Sequence, residues 1–300
     1  MKVAALMACV CMGAASVAAA QKFVVAAPAG SGADVVARAI AAKMGATVEN
    51  GAPEAVAKAP PDGSTLLFAT PTLTAAIALQ PNLPFDGLKA FAPVARVANE
   101  PLVLVATATF AMSSLFDFIA LAKANPGQIS YTSAGRGSAS HLAFELLKSA
   151  GTVTLAHVPA KSIDAAVADV AAGNAKVAFA PYGSVAAMLR AGKLKALAVT
   201  GAARLPLLPD VPTMRESGLV DYEFNAWLGV LAPAAASKAT VDRVNESLRK
   251  ALSDPALRDK LAALLGADPR VSTPEEFATQ LRREVASFQK VGRELNFKLE

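Results

Sequence analysis

Short apolar runs alternate along the chain with longer segments whose apolar residues recur every three or four positions. The runs at 23–25 and 64–69 predict buried strands, and residues 34–44 predict a helix with Val36, Ile40 and Met44 on one face. The same alternation continues through residues 94–199. It is typical of βαβ units and predicts an α/β fold with mainly parallel sheets covered by helices on both faces.

The length of the chain and the order of its elements predict two lobes. We place apolar runs at 102–106 and 222–231 as strands that cross between two α/β halves. Thr273, Pro274 and Glu276 give a strong start signal for a final helix that returns to the first half. We therefore expect residues 21–103 with 228–300 to form lobe 1, and residues 104–227 to form lobe 2. Such a chain suits closure about a hinge.

The first twenty residues have the pattern of a secretory signal peptide. Lys2 precedes an apolar stretch at 3–17, and an Ala-x-Ala exit ends at Ala20. A membrane span needs about 20 apolar residues, so an uncleaved anchor is the less favoured alternative. Cleavage after Ala20 leaves 280 of the 300 residues and removes both cysteines, Cys9 and Cys11. We then expect no disulfide, thiol nucleophile or thiolate metal site in the mature chain.

The charged residues exclude other classes of function. Loss of Lys2 takes the formal charge from +5 to +4, and the basic residues are scattered rather than arranged in a stripe with aromatics. Nucleic-acid binding therefore has little support. The two histidines, His141 and His157, fall in different predicted elements, so no His/carboxylate cluster has the usual metal-site spacing. We expect no metal and no other cofactor.

Two loops place glycines and hydroxyls between a predicted strand end and a helix start: the first loop, residues 27–34, and the second loop, residues 132–141. In open α/β sheets ligands bind at the carboxyl ends of strands, and the free N–H groups of a helix start favour a carboxylate. Each loop also has a simpler interpretation, as a capping box of Ser31 with Asp34 and as a helix cap by Ser138. Because the loops occur as a pair, one in each half, we favour ligand binding.

The motifs of several enzyme classes are incomplete. Gly30 and Gly32, and likewise Gly135 and Gly137, begin a dinucleotide-binding pattern whose third glycine is missing. No phosphate loop ending in Gly-Lys-Ser/Thr occurs, and no Gly-x-Ser-x-Gly elbow accompanies His141. The sequence therefore predicts a binding protein that is not an enzyme. A secreted enzyme on a receptor-like fold is the alternative, for which replacement of His141 would abolish turnover.

Eight short motifs follow one another in an order shared with a known family. They are PAGSGADVVAR at 28–38, PDGSTLL at 61–67, FAPV at 91–94, SAGRGS at 133–138 followed by His141, HVP at 157–159, GKLKALAVT at 192–200, LPDVPT at 208–213 and WLGVLAP at 227–233. On this set the chain resembles the solute receptors of tripartite tricarboxylate transporters, also called Bug receptors, from Phe23 to about Phe297. No single motif is decisive, but the ordered set is highly specific.

The resemblance implies the two-lobed, Venus-flytrap fold of periplasmic binding proteins. Such receptors hold a small organic carboxylate through main-chain N–H groups, hydroxyls and ordered water, and deliver it to membrane transporter subunits. We expect a periplasmic monomer that binds no nucleic acid. The predicted ligand-binding residues are Pro28, Gly30, Ser31, Gly32 and Asp34 in the first loop, Thr70 after the second predicted strand, Ser133, Gly135, Arg136, Gly137, Ser138 and His141 in the second loop, and Ala180 at a later strand end.

Three positions depart from the family pattern. The glycine-rich segment that usually follows Glu-Asn is cut short after Asn50, residues 160–162 are Ala-Lys-Ser where Tyr-Lys-Gly is frequent, and Ala180 stands where Asp or Asn is common. We expect a more open and less polar pocket there, with Arg136 either compensating through a charge-assisted bond to the carboxylate or lying in solvent. A sensory binding module that reports to a membrane sensor kinase is the alternative function.

Overall fold

The computed structural model describes residues 21–222, 224–267 and 269–299, so the predicted signal peptide at 1–20 lies outside the described residues. Within these residues, the strands of the first sheet are β1 (Lys22–Val25), β2 (Thr47–Asn50), β3 (Thr65–Ala69), β4 (Phe91–Asn99) and β10 (Trp227–Pro233). The strands of the second sheet are β5 (Leu102–Thr107), β6 (Ser130–Ser133), β7 (Ala156–Pro159), β8 (Val177–Pro181) and β9 (Leu194–Val199).

The helices connect these strands in βαβ fashion and then form a helical tail, as the alternating pattern predicts. They are α1 (Gly32–Met44), α2 (Pro53–Ala57), α3 (Pro71–Leu79), α4 (Leu115–Ala124), α5 (Ala139–Gly151), α6 (Ile163–Ala172), α7 (Tyr182–Arg190), α8 (Lys238–Leu252), α9 (Pro255–Leu265) and α10 (Pro274–Glu294). Helix α10 begins with the predicted capping box between Thr273 and Glu276. No helix in the described part of the chain combines the length and the apolar character that crossing a membrane requires.

The two sheets have the same topology. Their strand orders are β2-β1-β3-β10-β4 and β7-β6-β8-β5-β9. β1 pairs in parallel with β2 and β3, and β6 pairs in parallel with β7 and β8. The fourth strand of each sheet, β10 or β5, is antiparallel to both of its neighbours. Four strands of each sheet therefore run in one direction, which confirms the two-lobed α/β class, with one reversed strand inserted in each sheet.

Two crossings join the lobes. The first passes directly from β4 to β5 through Glu100 and Pro101, and the second enters β10 at Trp227. The predicted strand at 222–231 is only partly right, because Tyr222 and Phe224 are buried in the core of the second lobe rather than paired in a sheet. The backbones of the two crossings meet where the N–H of Glu100 donates to the carbonyl of Ala226 over 2.7 Å. The predicted lobe limits at 103/104 and 227/228 stay predictions.

Apolar layers cover both faces of each sheet. In the first lobe, α1, α8 and α9 pack on one face, and α2, α3 and α10 pack on the other. In the second lobe, α4 and α5 cover one face, and α6 and α7 cover the other. The α4/α5 layer also contains Leu79 of α3 and Phe288 of α10, so one apolar cluster spans both lobes behind the crossings. This packing leaves the opposite side, at the carboxyl ends of the parallel strands, for a cleft.

Candidate ligand-binding cleft

A cleft of about 230 Å³ lies between the lobes and is lined by both predicted loops. Its described lining residues are Ala27, Ser31, Gly32, Ala33, Thr70, Pro71, Thr72, Glu100, Leu102, Ala134, Ser138, Ala139, Ser140, Ile163, Pro181, Gly183, Ser184, Ala226 and Leu264. A larger cavity of about 630 Å³ lies along α10 and contains neither loop. The smaller cleft is the candidate site, because parallel strands from both sheets end there.

Five helices begin at this cleft. Lining residues include the first turns of α1 and α3 from the first lobe, and of α5, α6 and α7 from the second. Each helix start carries the positive end of a dipole equivalent to roughly half an elementary charge, and most helix starts also carry unpaired N–H groups. Helix α3 is the exception, because Pro71 has no N–H and Thr70 accepts the N–H groups of Thr72 and Leu73. No lysine, arginine or histidine is among the described lining residues. The cleft therefore favours an anion through backbone groups and hydroxyls rather than through cationic side chains.

The first loop is braced by the carboxylate of Asp34. This buried side chain accepts hydrogen bonds from the N–H of Gly30, from Arg38 Nε and from Asn50 Nδ2, each at 2.9 Å. The hydrogen bond from Arg38, with the bonds from Gly30 and Asn50, lowers the pKa of Asp34 to about 2. Asn50 also donates to the carbonyl of Ala27 over 3.0 Å. Asn50 thus holds the first loop in place.

Ser31 and Ser138 cap the two helices that start from the loops. Ser31 Oγ accepts the N–H of Asp34 at 3.4 Å, and Ser138 Oγ accepts the N–H of His141 at 3.3 Å. The capping interpretation is therefore correct for both serines. Both also line the cleft, so capping and ligand contact are not exclusive. The Asp34 carboxylate bonds to the N–H of Gly30 instead of that of Ser31, so the expected capping box is not formed.

The second loop is held from behind by a buried polar cluster. His141 Nδ1 accepts the N–H of Gly137 at 2.9 Å, and its Nε2 lies 3.5 Å from Glu145 Oε1. Glu145 Oε1 also accepts from Tyr131 at 2.8 Å, and Glu145 Oε2 accepts from Lys148 at 2.8 Å. Burial raises the pKa of Glu145, but hydrogen bonds from His141, Lys148 and Tyr131 and the charge of Lys148 outweigh it and lower the pKa to about 2.

A second histidine extends this cluster to the strand end. The His157 ring stacks on that of His141 with centroids 4.1 Å apart, and its Nε2 lies 2.7 Å from Ser133 Oγ. Burial and the neighbouring His141 lower the pKa of His157 to about 4, so the ring is neutral at physiological pH. Phe297, after α10, packs edge-on against His141 at 5.1 Å. His141 and Ser133 are therefore parts of the support of the loop.

The structure brings four of the predicted ligand-binding residues to the cleft lining: Ser31, Gly32, Thr70 and Ser138. The other predicted residues lie around it. In the first loop Pro28 and Gly30 are exposed and Asp34 is buried in its bracing bonds. Behind the lining of the second loop lie Ser133, Gly135, Gly137 and His141. Ala180 is fully buried in the core of the second lobe, and its neighbour Pro181 lines the cleft instead.

Arg136 is exposed, with Nη2 at 3.5 Å from the carbonyl of Lys298 near the end of the described chain. It is absent from the described cleft lining, so of the two expectations for this residue the solvent-exposed one fits its placement. Gly137, next to it, has φ +75°, and a Cβ there would lie 3.1 Å from the Leu299 side chain. The chain after α10 therefore packs on the outer side of the second loop.

Sequence reasoning missed several lining residues. Thr72 and Ser184 stand in the first turns of α3 and α7, and the rule that selected the two loops would have found them once those helix starts were assigned. Ser140 lies within the second loop but was not among its predicted ligand-binding residues. Glu100 was also missed. A glutamate between two apolar strands at a predicted crossing was an available signal. At 21–222, 224–267 and 269–299, no three His, Cys, Asp or Glu side chains are placed to hold a metal ion.

Two α/β lobes, two crossings and a cleft rich in helix starts define the class: a two-lobed solute-binding protein. The family described as the tripartite tricarboxylate transporter family receptor matches residues 32–296. The chain belongs to this family, whose members are substrate-binding receptors and not enzymes.

Individual relatives agree with the family. The chain is 34% identical over 278 residues to the UPF0065 protein in the tcbD-tcbE intergenic region of Pseudomonas sp. strain P51, covering 88% of this chain and 82% of that one. The structure of the periplasmic binding protein BugD is similar with a TM-score of 0.77 and 29% identity, over 93% and 98% of the two chains. MatC from Rhodopseudomonas palustris with bound malate has a TM-score of 0.76 and 30% identity, over 91% and 98%.

Proposed function

We propose that this protein is a periplasmic receptor that binds a small organic carboxylate between its lobes and delivers it to the membrane subunits of a tripartite tricarboxylate transporter. The observation that carries the proposal is the convergence of five helix starts, from both lobes, on one small cleft. The malate bound to MatC, a relative of similar structure, supports a carboxylate as ligand. Export through the cleaved segment 1–20 is part of the same proposal and is tested by sequencing the N-terminus of the mature protein.

The decisive variant removes one free N–H group and leaves the helix intact. Ala139 is the first residue of α5 and lines the cleft. Proline is well tolerated at this helix position because its missing N–H has no partner within the helix. In Ala139→Pro we expect the affinity for malate or another bound carboxylate to fall about tenfold, as for one lost hydrogen bond to a charged group. Isothermal titration calorimetry measures the change.

A matched control is available outside the cleft. Lys238 is the first residue of α8 and follows the capping serine Ser237, as Ala139 follows Ser138. Lys238→Pro is expected to keep the affinity of the unmodified protein. Equal affinity in both proline variants and the unmodified protein would refute binding at the α5 start. Copurification with membrane transporter subunits, rather than with a sensor kinase, tests the delivery step.

A further inference from the structure

Glu100 is the one ionisable side chain among the described residues of the cleft lining. It lies between β4 and β5, in the first crossing, and its N–H is tied to Ala226 in the second crossing. Its carboxylate faces the start of α1, where Oε1 lies 3.4 Å from the position that a Cβ on Gly32 would occupy. The backbone bond to Ala226 holds Glu100 at the junction of the lobes, with its charge at the ligand cleft.

The carboxylate of Glu100 has no donor among the described residues. Burial alone raises its pKa to about 7, with no hydrogen bond or cation to lower it. Glu145 and Glu284, by contrast, are satisfied from within the protein: Glu145 by Tyr131 and Lys148, and Glu284 by hydrogen bonds from Trp227 at 2.7 Å and from Thr74 at 2.8 Å. The side chain of Glu100 is partly buried at the cleft wall and has no protein donor in the described part of the chain, so a donor on the ligand would offset the cost of its partial desolvation.

The rest of the cleft offers the opposite chemistry. Six lining residues carry hydroxyl groups: Ser31, Thr70, Thr72, Ser138, Ser140 and Ser184. Ser138 donates to the Gly135 carbonyl and is paired with Ser140. Thr70 donates to Thr72. The hydroxyls of Ser31, Thr72 and Ser184, together with the helix starts, remain as donors for a ligand carboxylate. Glu100 supplies the only charged acceptor in the described lining. The lining therefore has two unlike parts, one suited to a carboxylate and one suited to an N–H donor.

We propose that Glu100 makes the cleft selective for carboxylates that also carry a nitrogen donor, an ammonium or a ring N–H, over carboxylates that carry none. The inference rests on the proposed function, because the helix starts still bind the ligand carboxylate. An ammonium within about 4–6 Å stabilises the ionised form of Glu100. A second ligand carboxylate at that place is repelled unless Glu100 first takes up a proton, so dicarboxylates without nitrogen bind less well.

Calorimetric titrations with matched probes test this selectivity. The pairs are β-alanine against propionate and aspartate against succinate, at a pH above the pKa of Glu100. We expect the unmodified protein to bind the amino member of each pair about tenfold more tightly, as for a hydrogen bond between charged groups. In Glu100→Gln the preference is expected to disappear. Glu246→Gln, at an exposed position of α8, is the matched control and is expected to keep it.

The possible outcomes separate the two proposals. Equal binding within each pair, or a preference that survives Glu100→Gln, would overturn the role of Glu100 while leaving carboxylate binding intact. Failure of all four probes to bind the unmodified protein, while malate or another carboxylate binds, would overturn this inference alone. Failure of every carboxylate to bind would overturn the proposed function and this inference with it. If Glu100→Gln does not fold, Glu100→Asp serves instead. Aspartate keeps the negative charge but is one methylene shorter, so we expect the preference for the amino member of each pair to be reduced.

Discussion

The first loop and the second loop meet at one cleft, and each contains glycines and a serine that caps the following helix. Different parts of the molecule hold the two loops in place. In the first loop Asp34 is bound by Arg38, whose side chain is 49% exposed. The second loop is held by its own His141 and by Glu145 of α5, whose side chains are 3% and 4% exposed and lie beside aromatic rings. A bond to a solvent-exposed partner is weaker and more adjustable than a buried network. The comparison indicates that the second loop is the fixed half of the site and the first loop is the adaptable half.

The largest expected effect is the loss of stability when the residue that supports each loop, His141 or Asp34, is replaced. His141→Ala removes the acceptor for the Gly137 N–H and a partner of the buried Glu145, and it leaves a cavity beside His157. We expect the free energy of unfolding to fall by about 3 kcal/mol. Asp34→Ala is expected to cost about 1–2 kcal/mol, because Arg38 and Asn50 then turn to water. Urea denaturation measures both, and equal losses would contradict the comparison.

Acid titration sharpens the same contrast. The pKa values of Asp34 and Glu145 are both lowered to about 2, so each carboxylate stabilises the fold above its ordinary pKa. That contribution is lost as the pH falls from about 4.5 towards 2. We expect Glu145→Gln to reduce the pH dependence of the free energy of unfolding more than Asp34→Asn does, since Glu145 is bonded within the buried cluster. Urea midpoints recorded across this pH range provide the check. A larger reduction by Asp34→Asn than by Glu145→Gln would contradict the comparison.

Capping gives a smaller difference between the loops. Ser138 Oγ contacts the Gly135 carbonyl at 2.7 Å and Ser140 Oγ at 3.1 Å besides capping α5, whereas Ser31 Oγ makes one bond at 3.4 Å. We expect Ser138→Ala to lower the free energy of unfolding by about 1–2 kcal/mol and Ser31→Ala by about 0.5 kcal/mol. Thermal unfolding of the two variants measures this. A greater loss from Ser31→Ala would reverse the assignment of the fixed loop.

The smallest effect is expected at Arg136. Among the described residues its exposed guanidinium bonds only to the Lys298 carbonyl, at 3.5 Å, and it lies outside the cleft lining. Arg136→Ala is therefore expected to change the free energy of unfolding and of carboxylate binding by less than about 0.5 kcal/mol. Titration calorimetry at two salt concentrations measures the effect on binding. A tenfold loss of affinity would restore Arg136 as a ligand contact.

Most of the fold could be predicted because buried strands and amphipathic helices leave a periodic pattern. The run at 102–106 is β5 with one residue added, and the helix placed at 34–44 begins two residues earlier, where Ser31 caps it. Strand β2 was not predicted. It is a short edge strand with exposed residues, so no apolar run marks it. The segment before Trp227 was taken as strand because Tyr222 and Phe224 are apolar, but they serve the core of the other lobe.

The site could be predicted only as far as backbone geometry follows from sequence. Glycines and hydroxyls after a strand predicted two loops that, in the structure, line one cleft. They did not show which side chains turn towards the ligand, because that depends on partners distant in the sequence. Asn50 turns Asp34 inward, and Ser133 faces His157 across two parallel strands. The sequence marked Glu100 as a glutamate between two apolar strands at a predicted crossing, but only the meeting of the two crossings places it at the cleft.

A crystal structure of the protein with a carboxylate that saturates it in titration tests the central claim most directly. The claim is that helix starts from both lobes bind one anion. We expect the carboxylate oxygens to lie about 3 Å from backbone N–H groups at the starts of α1 and α5. A ligand held by one lobe alone, or placed in the larger cavity along α10, would contradict the claim.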